Sequence, residues 1–173
     1  MTLIHICPLA DLAKVVSVQR PSHVVSLVSP SMPEIPGGSI GNAQYLRLGI
    51  NDITIPKEGY VLAQESDVAQ LLAFIHGWPR TRPMLMHCWF GVSRSPAAAY
   101  IAACALAPGE EEAAIAARLR AQAPFATPNA RLVSLADDLL GRKGRMRAAI
   151  AKIGRGCEVS TGVPFTLPIG DSR

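Results

Sequence analysis

The sequence predicts an α/β fold, one domain in which a central, mostly parallel sheet of about four or five strands is flanked by helices. Three observations carry this expectation. Short apolar runs of strand character alternate with longer segments of helical periodicity. Glycine and proline punctuate the joints between them. The chain has 173 residues, enough for one domain with a real core.

Leu3 to Cys7 reads as the first strand, and Leu9 to Val18 as the helix after it. Val24 to Val28 is a second apolar strand. The stretch Ser29 to Gly41, with Pro30, Pro33, Pro36, Gly37 and Gly38, is an extended loop placed to border a site. Tyr45 to Ile50 alternates as a third strand should, and Asn51-Asp52 follows directly, with Pro56 and Gly59 marking a loop. A helix from Ser66 to about Trp78 is opened by Ser66 and Asp67, which suit the capping of free N–H groups. Met84 to Cys88 is a fourth strand, and Ser95 to Ala107 an alanine-rich helix. Glu110 to Gln122 starts after Gly109 with acids near its positive end, and Asn129 to Leu140 forms the last core helix. Met146, Ala149, Ile150 and Ile153 then recur at helical spacing. They imply a final helix packed on the body with its arginines in solvent, and beyond Gly154 an irregular tail. Residues 1–141 are thus expected to be the main domain, and 142–173 a basic helix and irregular tail.

The net charge of +4 is unevenly placed: residues 142–173 carry 7 basic against 2 acidic side chains. Arg142, Lys143, Arg145 and Arg147 form one short basic face, which is no nucleic-acid motif. No apolar run approaches the ~18 residues that span a bilayer, and the N-terminus has no secretory pattern. A soluble, cytoplasmic protein is expected. Cys7, Cys88, Cys104 and Cys157 show no paired framework, which agrees with a reducing compartment.

The most informative window is His87-Cys88-Trp89-Phe90-Gly91-Val92-Ser93-Arg94-Ser95, set between a strand and a helix. Cys88 lies at the carboxyl end of a strand, where open α/β sheets bind ligands, and the following helix presents free N–H groups to an anion. Those amides, from Trp89 to Arg94, would ring a phosphate group and favour the thiolate of Cys88. Gly91 permits the sharp turn, and Arg94 offers a planar fork for two oxygens of a tetrahedral oxyanion. Ser95 can donate to a departing thiolate, and Pro96 fits the first helical turn. His87 must point to the opposite side of the strand from Cys88. It therefore supports the loop, with a ring N–H expected to bond to backbone. No Cys-x-x-Cys or His-x-x-x-His pair exists, so neither a metal site nor a cofactor is expected.

Cys88, five residues, Arg94 and Ser95, preceded by His87 and centred on Gly91, resembles the signature of the protein tyrosine phosphatase superfamily. Its mid-chain place and the short chain resemble the compact dual-specificity-like phosphatases of bacterial type. The resemblance implies a single-domain phosphatase fold and a general acid some thirty-odd residues upstream, just after a strand. Asp52 is at that place. Glu58 and Glu65 lie further along, and a turn-forming role for Asp52 is the plain alternative. The resemblance further implies that the Asn129 of Pro128-Asn129 buttresses the phosphate loop, while capping its helix explains the same residue without chemistry.

The implied activity is metal-independent phosphomonoester hydrolysis through a cysteinyl phosphate. Cys88 attacks, Arg94 holds the equatorial oxygens, Asp52 is acid and then base, and Ser95 eases the release of sulfur. The partner is a phosphorylated protein, carrying phosphotyrosine or on the dual-specificity pattern, or a small phosphate ester. Relatives acting on highly phosphorylated inositides carry lysines in the loop, which Trp89, Phe90, Val92 and Ser93 do not supply. A phosphatase of inositol phosphates, lipids or nucleotides is one alternative and a weakly catalytic phospho-binding module another. A rhodanese-like sulfur carrier fits less well, because of Arg94-Ser95 and Asp52.

Overall fold

The computed structural model describes residues 2–170. The strands are β1 (Thr2–Pro8), β2 (His23–Val28), β3 (Gln44–Gly49), β4 (Met84–Cys88) and β5 (Phe165–Ile169). The helices are α1 (Leu12–Gln19), α2 (Glu65–His76), α3 (Arg94–Leu106), α4 (Glu112–Gln122), α5 (Ala130–Leu139) and α6 (Arg145–Ile153). One sheet runs in the order β3-β2-β4-β1-β5, with β3, β2, β4 and β1 parallel and β5 antiparallel to β1. Among the described residues no helix is long and apolar enough to cross a membrane.

The central strands β2 and β4 are buried on both faces, as their apolar runs require, whereas the edge strand β3 is mostly half-buried. Ile4, Ile6, Val25, Leu27, Met84 and Met86 join the main core with residues of α2 to α6. The alternate residues Cys7, Val24 and Leu85 join a smaller core with Leu12 of α1 and with Ile35 and Ile40 of the loop after β2. This period-2 division puts Cys88 on the side of the main core and leaves His87 to the other side. Alanine dominates α3 for a packing reason. The helix is buried along almost its whole length, and small side chains let it lie close to the sheet and its neighbouring helices.

The expected elements are all present, with ends moved by one or two residues, apart from two corrections. The helix expected from Leu9 opens as a 3-10 turn (Leu9–Asp11) before α1. The tail expected to be irregular closes with β5, whose Ile169 pairs with Thr2 and whose Phe165 pairs with Ile6. Pro168 interrupts any strand signal there, but an edge strand tolerates proline because one side of its ladder is unused. At the start of α2, Asp67 accepts the Gln64 amide at 2.8 Å in a capping box, so Gln64 is the cap and not Ser66.

The basic C-terminal helix packs on the body as expected, but its arginines are not all solvated. Arg142 is buried, donating to Glu112 at 3.0 Å and to the Cys104 carbonyl at 2.6 Å. Arg145 adds a second ion pair to Glu112 at 3.1 Å. The completely buried Asp137 of α5 accepts the backbone amides of Gly144, Met146 and Arg147, and so holds the first turn of α6. The charge cluster is therefore internal structure, an acid-rich helix start joined to a basic segment.

Candidate active site

Parallel strands bring their carboxyl ends to one sheet edge. The loops after β2, β3 and β4 therefore emerge together, which places residues 29–41, Asp52 and the segment Trp89–Ser93 side by side. The order of the site is set by backbone accounting. An oxyanion cradle needs N–H groups turned inward, so its carbonyls must turn outward and find other donors. In the structure they do. The Trp89 carbonyl accepts Leu9 N–H at 3.2 Å, Phe90 accepts Gly162 N–H at 2.9 Å, Val92 accepts Thr127 N–H at 2.8 Å and Ser93 accepts Asn129 N–H at 3.2 Å.

Gly91 is fixed by two separate constraints. Its φ is +68°, in the left-handed region, and a Cβ there would stand 2.8 Å from the Pro8 nitrogen and 3.0 Å from the Cys7 carbonyl carbon. The loop therefore leans on the end of β1 at a point where only glycine fits. The Cys88 sulfur, almost wholly buried, receives the Gly91 amide at 3.3 Å and lies 3.1 Å from the Ser95 hydroxyl. Arg94 is the first residue of α3 and is buried. Its Nη1 donates to the Ile50 carbonyl at 2.8 Å, while its buried Nε has no hydrogen-bond partner. One edge of the guanidinium is thereby anchored, and a donor on the other is left for a ligand.

Asp52 reaches the same loop. Its Oδ1 accepts the Ser93 hydroxyl at 2.7 Å and the Asn129 amide at 2.8 Å. Asn51 closes the intervening loop by bonding with the Val61 backbone in both directions, at 2.9 and 2.8 Å. Asn129 makes contacts on three sides. Its Oδ1 caps α5 through the Leu132 amide and its backbone N–H supports the loop, but its side-chain amide goes to Asp52 and to the Ile53 carbonyl. Ser93, expected from the sequence only as a cradle residue, holds Asp52 through its hydroxyl. Nothing local in the sequence signals that link across 41 positions.

His87 points away from Cys88 as expected, but its partner differs. Its Nε2 meets the buried Ser26 hydroxyl of β2, because Ser26 and His87 are register partners in adjacent strands. Burial pulls the imidazole pKa down to about 4, with the Arg94 charge lowering it further and the Cys88 backbone opposing. The ring is neutral at pH 7. The unfolded chain takes up this proton as pH drops below about 6.5, whereas the folded chain resists until about 4. Stability is therefore full above that window and falls as pH falls through it. Burial lowers His5 and His23 in the same direction. Urea midpoints are expected to decline from pH 6.5 towards 4.5, and less steeply in His87→Gln. An unchanged slope in that variant would count against this assignment.

Beside Arg94 opens a groove of about 480 Å³ lined by Ser29, Ser31, Met32, Pro33, Trp89 and Phe90. Arg94 is the sole charged residue in that lining. Trp89 and Phe90 are 50% and 51% exposed and meet edge to face, with centroids 6.4 Å apart. The proline-rich loop after β2 thus does border the site. It is tied down by Arg47, whose Nη1 donates to the Pro33 carbonyl at 3.1 Å.

Compared by sequence, the chain matches no protein-family model and no curated protein. Compared by structure, it is similar to DUSP15, with a TM-score of 0.62 at 16% identity over 86% of this chain and 90% of that one. The Yvh1 phosphatase domain from Chaetomium thermophilum gives 0.59 at 16% identity, covering 83% and 93%. The human tyrosine phosphatase-like serine/threonine/tyrosine-interacting protein gives 0.60 at 18% identity, covering 81% and 92%. The fold is that of the compact dual-specificity phosphatases.

Proposed function

We propose that this protein is a metal-independent phosphomonoester hydrolase that works through a cysteinyl phosphate and acts on a phosphorylated protein of the phosphotyrosine or dual-specificity class. The observation that carries the reading is convergence. Asp52, on the loop after β3, is hydrogen-bonded to Ser93 of the loop that surrounds the Cys88 sulfur. A nucleophile, an anion cradle and a proton donor thereby meet at one sheet edge.

The chemistry follows from the atoms present. The Cys88 thiolate attacks phosphorus in line, and the bond to the leaving oxygen breaks as Asp52 passes it a proton. Two donors already occupy Oδ1 of Asp52, so the acidic proton sits on Oδ2. Inward amides and Arg94 carry the charge of the equatorial oxygens. Water then attacks the cysteinyl phosphate while Asp52 takes its proton, and the Ser95 hydroxyl donates to the sulfur as it leaves. The Trp89-Phe90 groove, lacking lysines, supports an apolar or aromatic ester bearing one phosphate over a highly phosphorylated inositide.

The direct test is hydrolysis of an aryl phosphate in the presence of a chelator. A purified wild type with no turnover would overturn the proposal. Asp52→Asn is expected to lower kcat by about 10²–10⁴-fold, the usual contribution of a general acid. The loss should be greater for an alkyl ester, whose poor leaving group needs the proton, than for a nitrophenyl ester. Equal losses for both would reduce Asp52 to a purely structural residue.

A further inference from the structure

The geometry points to residues 156–162 as the outer wall of the phosphate-binding loop, with Gly162 as a positioning residue for the reaction proposed above. The inference rests on that phosphatase reading. The chain leaving α6 is largely exposed but is held to the body at several backbone positions. Arg120 gathers it first, donating to the Gly154 carbonyl at 2.7 Å while its other terminal nitrogen holds the Pro124 and Ala126 carbonyls at 2.7 and 2.8 Å. Gly156 N–H then donates to the Thr127 hydroxyl at 3.0 Å, and Cys157 N–H to the Pro124 carbonyl at 3.0 Å. The backbone N–H of Thr127 itself holds the Val92 carbonyl of the loop. The strap finally reaches the loop directly, where Gly162 N–H donates to the Phe90 carbonyl. Beyond it, Phe165 of β5 packs edge to face on Phe125, with centroids 5.9 Å apart.

Gly162 is needed for its lack of a side chain and not for an unusual backbone. Its φ is outside the left-handed region. A Cβ there would stand 2.6 Å from the Phe125 ring, 3.1 Å from the Gly91 carbonyl oxygen and 3.2 Å from that of Phe90. The ring has little room to retreat, since Phe125 is buried in a small cluster with Val92 and Phe165 around it. An alanine would therefore push on the outward carbonyls of the loop, whose rotation sets the direction of the inward amides.

Two measurements test this. Gly162→Ala is expected to keep its fold by circular dichroism, to lose about tenfold or more in kcat for an aryl phosphate, and to weaken inhibition by tungstate in parallel, because a sub-ångström misplacement of a cradle is costly. A folded Gly162→Ala protein with unaltered kcat and tungstate inhibition overturns the proposal. The second measurement uses the unmodified chain and so does not depend on how the variant folds. If the strap positions the loop for an oxyanion, the oxyanion must in turn stabilise the strap. Hydrogen exchange in the peptide covering residues 156–163 is then expected to slow on adding tungstate. An active wild type whose strap exchanges at the same rate with and without tungstate overturns the strap alone. A wild type that neither hydrolyses aryl phosphate nor binds tungstate overturns the phosphatase reading and the strap with it.

Discussion

Cys88→Ser is expected to fold, to hold tungstate and to show no turnover of any phosphate ester. The substitution is nearly isosteric, and the groups around the Cys88 sulfur, the Gly91 amide at 3.3 Å and the Ser95 hydroxyl at 3.1 Å, are expected to stay in place. What changes is the attacking atom. A serine hydroxyl must lose a proton to become a strong nucleophile, and among the described residues the side chain at this position is hydrogen-bonded to Ser95 and the Gly91 amide, neither of them a general base. His87, the adjacent histidine, faces the other side of the sheet and is bonded to Ser26. Intact mass of acid-quenched wild type should show a phosphorylated species during turnover that Cys88→Ser lacks. Residual hydrolysis in Cys88→Ser near the wild-type rate would remove sulfur from the mechanism.

Arg94→Lys is expected to lower kcat/KM by on the order of 10²–10³, the usual effect of removing an oxyanion donor. Charge is kept, so a purely electrostatic role would predict a mild effect. Geometry argues otherwise. The guanidinium does two things at once, anchoring Nη1 on the Ile50 carbonyl and leaving a buried Nε free to donate. An ammonium group is a point charge that cannot hold a backbone carbonyl and two phosphate oxygens in one plane. The anchor also lies two residues before Asp52, so its loss should disturb the loop that carries Asp52. Inhibition by tungstate is expected to weaken together with kcat/KM. If Arg94→Lys binds tungstate as the wild type does, the planar fork is not the operative feature.

Much of this arrangement was legible in the sequence because it is local. The strand, loop and helix from Met84 to Leu106 are contiguous, and Cys88, Gly91 and Arg94 take their places through short-range backbone geometry. Asp52 was placed by the strand just before it together with the family resemblance. What could not be read involves pairings over long separations. Ser93 with Asp52, Arg94 with Ile50 and His87 with Ser26 are 41, 44 and 61 positions apart. Periodicity reports which face of an element is buried, but not which distant side chain meets it. The last strand is silent in the sequence for a related reason. Five residues with a proline carry almost no periodic signal, and β5 exists because β1 offers it an unpaired edge.

That pairing makes the order of synthesis matter. Thr2 lies in register opposite Ile169, so the sheet joins the first and last parts of the described chain. A nascent chain that has already made Cys88 and Arg94 still exposes the bare edge of β1 and has no Gly162 N–H to donate to the Phe90 carbonyl. Such an intermediate can pair its open strand with another copy. High-separation contacts of this kind also slow folding. Closure of the loop around Cys88 is thereby deferred until translation has passed β5, and a chain cut short before β5 is expected to aggregate and not to settle as a smaller domain.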